Sequence, residues 1–128
     1  MDETLLKVSF LIGSHIAIMD IFHVHKDYTL DPVTMTNIYI HQLLVTTIIV
    51  GCFFVKKFFI WSHLLSCLAI AVLWQLNDGC IMSQWQIDAV PYTPADLDAI
   101  HGSFEKRITN HLFVLVPAIM YDFYKLLR

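Results

Sequence analysis

The chain of 128 residues is short of charge. Asp, Glu, Lys and Arg together make up 15% of it, against about 25% in an ordinary soluble domain. It also lacks a basic surplus. Eleven acids against eight bases leave a net charge of −3. Neutralising a phosphate backbone takes clustered Lys and Arg, so no nucleic-acid partner is expected. Glycine and proline are scarce, at four each, which leaves no flexible linker and few breaks between elements. The three cysteines include no Cys-x-x-Cys pair. Neither a disulfide framework nor a thioredoxin-type motif is expected. Gly-rich phosphate loops, Gly-x-Ser-x-Gly elbows and His-Glu-x-x-His motifs are missing too. Nothing in these absences supports an enzyme, and no cofactor is implied.

What is abundant is apolar. Hydrophobic types reach 57% and the mean hydropathy is +0.62. A soluble body of this size cannot hide that much apolar surface, so the expected surroundings are a lipid bilayer. Between Asp31 and Asp78 lie 46 residues whose only charges are Lys56 and Lys57. The pair divides the stretch into 18 uncharged residues, 38–55, and 19 more, 58–76. A membrane helix needs about 20 apolar residues, with about 17 as the lower limit. One continuous helix would bury two ammonium groups at about 2.5–3.5 kcal/mol each. A hairpin with the lysines at the water interface avoids that cost. Two less clean stretches flank this pair. Residues 5–22 carry Lys7, His15 and Asp20, and residues 108–124 carry His111, Pro117 and Asp122. Pro117 predicts a kink rather than a break. The first stretch starts on Asp2-Glu3 and lacks a small-residue cleavage site, so a retained helix is expected instead of a signal peptide.

The predicted fold is all-α: a single membrane domain, 1–128, built as an integral bundle of about four transmembrane helices over 5–22, 38–55, 58–76 and 108–124. The outer loop, 77–107, is expected to hold one amphipathic helix. Thr93 is a good N-cap, Pro94 suits the first helical position, and Asp96 completes the capping pattern. Gly13 and Ala17 give a small-residue spacing suited to close helix approach. Lys7, Lys56, Lys57, Lys125 and Arg128 outnumber Lys26, Lys106 and Arg107 across the predicted membrane, which favours both termini in the cytoplasm.

Seven histidines invite a chemical reading, because His15, His41, His63 and His111 fall on four different predicted helices. On the outer side, His23, His25, His41 and His111 with Asp20 could bind a divalent metal or relay protons. The alternative is that these rings bond to water, headgroups or neighbouring helices, and it is favoured. A channel is a third possibility and would need a homo-oligomer.

One segment has a recognisable layout: His63-Leu64-Leu65, then Trp74, then Asn77-Asp78-Gly79-Cys80-Ile81-Met82-Ser83. It resembles small multi-pass membrane proteins of large nucleocytoplasmic DNA viruses. It is also similar, less closely, to uncharacterised bacterial membrane proteins with a Cys-Pro-Leu-Thr run at this place. The viral resemblance implies a virion or virus-factory protein, in a membrane beneath an icosahedral shell. It transfers no catalytic residues. The expected function is therefore non-enzymatic anchoring. A capsid or scaffold partner would meet the outer loop at Trp85, Asp88, Tyr92, Asp96, Asp98, Phe104 and Glu105, the acids supplying charge complementarity and the aromatics the contact anchors.

Overall fold

The computed structural model describes residues 1–102 and 104–128, with side chains described outside 104–111. Among the described residues six α-helices follow in order: α1 Asp2–Met19, α2 Pro32–Gly51, α3 Lys57–Asn77, α4 Ile81–Ala89, α5 Pro94–His101 and α6 Phe104–Leu127. A π-helical turn, Asp20–Val24, extends α1. Among the described residues, three helices are long and apolar enough to cross a membrane: Asp2–Val24, Pro32–Gly51 and Lys57–Asn77. They keep many large apolar side chains on the outside. Phe10, Leu11, Ile49, Leu65 and Leu73 are all exposed. Water would penalise such a surface, whereas lipid does not.

Local chemistry sets the helix limits. Asp31 caps α2 by accepting from the Thr34 amide at 2.7 Å, and Pro32 occupies the first turn, where its missing N–H costs nothing. The helix therefore starts well before the uncharged block does, and it stops at Gly51 rather than at the lysine pair. Residues 52–56 form the turn, and Lys57 is already the first residue of α3. At its far end α3 stops on Asp78, in the left-handed conformation with φ 52°. The predicted single outer helix is two, separated by residues 90–93. Thr93 caps the second of them, accepting from the Asp96 amide at 3.2 Å.

Packing follows side-chain size. Gly13 of α1 faces Leu43 and Thr46 of α2, and any Cβ added there would lie 2.9 Å from Leu43 Cδ2. Ser9 and Ala17, each a turn away, are also buried, so α1 and α2 approach closely along a small-residue stripe. Ser14 and Tyr39 share a hydrogen bond across it. On the other side α3 packs on α6. Ile48 of α2, Cys67 of α3, and Leu115 and Ala118 of α6 form the core there. A second core of Leu30, Ile38 and Val90 lies beneath the α3–α6 connection, with Ile21, Tyr28, Met35 and Tyr92 against it.

Polar contacts close the end that carries the lysines. The buried Asp2 carboxylate accepts from the backbone amides of Val55, at 3.1 Å, and Lys56, at 2.7 Å. Lys56 is the N-cap of α3, whose amide has no helical partner, and Val55 belongs to the turn just before it. Lys56 also pairs with Glu3 at 2.6 Å. The N-terminal end of α1, the α2–α3 turn and the C-terminal end of α6 thus meet at one end of the bundle.

Candidate functional site

Two polar clusters stand out, one at each end. At the connection end, the π-helical turn brings Asp20 and His25 together. His25 Nδ1 lies 2.9 Å from the Asp20 carbonyl and 3.0 Å from its carboxylate. The other ring nitrogen, Nε2, is 2.6 Å from the Tyr92 hydroxyl. Gln86 of α4, itself buried, donates to that hydroxyl at 2.8 Å. Gln42 of α2 donates to the Asp20 carboxylate at 2.8 Å. Tyr28 donates to Asp96 and accepts from the Thr93 amide. The rings of Tyr28, Tyr92 and His101 pack edge to face within this network. Residues from α1, α2, α4 and α5 are therefore fastened around one buried histidine.

The electrostatics follow from these contacts. Burial opposes a charged His25, but the Asp20 carboxylate and carbonyl outweigh it and raise the His25 pKa. The Tyr28 hydroxyl, and then Thr93, hold the Asp96 carboxyl below the usual carboxylate range. Burial pushes the Tyr92 hydroxyl up. The raised His25 value has a direct consequence for pH dependence. A histidine whose folded pKa exceeds its unfolded value of about 6.5 contributes full stability below that pH. The contribution is lost as pH rises through the folded value. Amide protection of Val90 and Tyr92, corrected for intrinsic exchange, is therefore expected to fall as pH is raised from about 6 to about 9. Asp20→Asn should flatten that dependence. A wild-type profile already flat would refute this account of His25.

The sequence-predicted residues separate into groups. His25 and Asp20 come together as described. His23 is exposed, and His41 lies against Cys80, 3.6 Å from its sulfur. The side chains of His111, Phe104 and Glu105 lie outside the described residues. Among the described residues, no three His, Cys, Asp or Glu side chains form a group that could hold a metal ion. Of the predicted partner contacts, Tyr92 and Asp96 are tied into the internal network. Trp85, Asp88 and Asp98 are exposed.

Sequence reasoning missed the second cluster. His63 of α3 and Asp122 of α6 form an almost wholly buried pair, Nδ1 to Oδ2, at 2.5 Å. His63 Nε2 lies 2.9 Å from the Ile48 carbonyl. That carbonyl can only accept, so Nε2 is the donor there, and Nδ1 faces the carboxylate. Lys125 completes the group. Its Nζ is 3.0 Å from Asp122 Oδ1. The angle there is too poor for a hydrogen bond, which leaves that oxygen without one. The charge attraction at that distance stands regardless, because it does not depend on angle. Lys125 also donates to the carbonyls of Cys52 and Phe54, both at 3.1 Å. One cluster thus links α2, its following turn, α3 and α6. Gly51 makes room for it. A Cβ at that position would lie 2.8 Å from His63 Cγ and closer still to two other ring atoms.

Chemically, the His63–Asp122–Lys125 cluster is a clamp whose polar groups face one another. The His25 network is a scaffold that fixes the shape of the connection. No family model, curated protein or solved structure matches this chain.

Proposed function

We propose that this chain is a four-span membrane protein that works by association, α6 crossing the bilayer beside the three apolar helices. Its spans act as an anchor and its α3–α6 connection presents a shaped surface to a protein partner. The observation that carries this reading is the network around His25. Four helices contribute to it, and it holds α4 and α5 in place while Trp85, Asp88 and Asp98 stay exposed. An ordered surface with an aromatic anchor and acidic flanks suits a basic or mixed protein face, since little ordering entropy remains to be lost on contact. The lysine-bearing end would face the cytoplasm, following the excess of Lys and Arg there. The viral resemblance adds a setting, a shell or scaffold component over an internal membrane.

Photo-crosslinking in the native membrane tests this. Probes at Asp88 and Asp98 are expected to give one shared protein adduct, lost on Trp85→Ala. A probe at Phe113, which is 80% exposed, should give lipid adducts. Lipid adducts alone from all three positions would defeat the anchoring role.

A further inference from the structure

The chain leaves α3 through Asp78, with φ 52°, and Gly79, with φ 141°. Cys80 then stands immediately before the nine residues of α4. Its sulfur lies 3.6 Å from Nε2 of His41, on α2. Ser83, in the first turn of α4, is buried close by in the sequence. Cys80 keeps partial exposure. The other two cysteines differ. Cys67 is fully buried in the bundle, and the ring nitrogen beside it is already engaged by the Ile48 carbonyl. Cys52 turns its thiol to the Ile48 carbonyl of its own helix. Only the Cys80 thiol, among the three, combines an imidazole from another helix with access from outside.

We propose that Cys80, paired with His41, is a reactive thiol that exchanges with small-molecule disulfides of the glutathione type. His41 Nε2 takes the thiol proton. The Cys80 thiolate then attacks one sulfur of the disulfide, whose S–S bond breaks as a new S–S bond forms to Cys80. The Cys80 sulfur is oxidised, and the other half leaves reduced, as a thiolate that His41 or water can protonate. Electrons and protons balance without a further reactant. The electrostatics agree with the geometry. Burial by itself pushes the Cys80 thiol up, but His41 and then Ser83 outweigh it, and the thiol is pulled down to about 6. His41 is the titratable group facing the sulfur from α2. On its own segment, Asp78 stands two residues before it and is exposed. This chemistry is independent of the anchoring role.

The test uses the full chain in mild detergent with glutathione disulfide, the modified cysteine being mapped by mass spectrometry. The mixed disulfide is expected on Cys80, with a rate changing less than about twofold between about pH 7 and about pH 9. An ordinary thiol of pKa about 8.5 would gain about 25-fold over that range. Buried Cys67 should react only after unfolding, and Cys52, half-buried with its thiol turned to the Ile48 carbonyl and with no imidazole beside it, should react far more slowly than Cys80. His41→Gln should slow exchange at about pH 7 roughly tenfold and restore a steep rise with pH. The wild-type profile decides the matter without any variant. A steep rise in the native protein, or modification falling first on Cys52 or Cys67, would overturn the proposal. So would a His41→Gln profile equal to wild type in a chain that still melts cooperatively.

Discussion

Asp122→Ala is expected to lower stability by about 3–5 kcal/mol, the usual cost of removing one partner from a buried ion pair. The reason lies in what remains. His63 is nearly inaccessible, and it would keep a ring nitrogen facing an empty space. Lys125 would lose its carboxylate while still held against two carbonyls. In thermal unfolding in mild detergent the midpoint should fall by on the order of 10 °C. A change below about 2 °C would mean that the cluster holds nothing together. The pair need not be stabilising in itself. Removing all three polar groups at once, with His63→Leu, Asp122→Leu and Lys125→Met, should recover most of the loss, because well-packed apolar replacements of buried ion pairs are often neutral or better.

Gly51→Ala is the second large effect, and it probes the same cluster from its steric side. Overpacking a filled site costs about 1–3 kcal/mol. Here the ring has little freedom to retreat, since Nδ1 is bound to Asp122 and Nε2 faces the Ile48 carbonyl. Displacing the ring opens the ion pair as well, so the total should approach that of Asp122→Ala. The two causes separate in a double variant. With His63→Ala already present, the three ring atoms nearest the added methyl are gone. Gly51→Ala should then cost almost nothing further, a non-additivity expected only of residues in contact. Simple addition of the two losses would show that Gly51 matters for another reason.

Three of the four expected apolar spans, those in α1, α2 and α3, were plain in the sequence because they rest on runs of residue type, which need no knowledge of the fold. So did the Thr93-Pro94 start of α5, where the capping chemistry is local. The start of α2 was equally local, with Asp31 and Pro32 in the same relation as Thr93 and Pro94. The uncharged block from 38 masks it, since the helix begins several residues before that block does. The clamp was illegible for a different reason. His63 and Asp122 are far apart in the chain, and their pairing depends on α3 and α6 lying side by side. One signal did exist. An aspartate inside an apolar helix needs a partner. His63 sits about as far along α3 from the lysine-bearing end as Asp122 sits along α6 from its own last residue. Matching depths on antiparallel helices would have suggested the pair. The Cys80–His41 contact gave no comparable signal, because Cys80 lies beyond the end of α3 and only the fold of the connection returns it to α2.

The polar ties lie at the two ends of the bundle, the Asp2 and Lys125 contacts at one and the His25 network at the other. Between them α2 runs for 20 residues, about 30 Å at 1.5 Å per residue. That distance is close to the thickness of a hydrocarbon core. Fastened at both ends, the helices cannot shorten or bend one at a time. With the spans placed as proposed, a thinner bilayer would tilt the body as a unit and a thicker one would thin around it. Such a protein would register membrane thickness as a whole, and membranes thinner by only a few ångströms would hold it at a different angle.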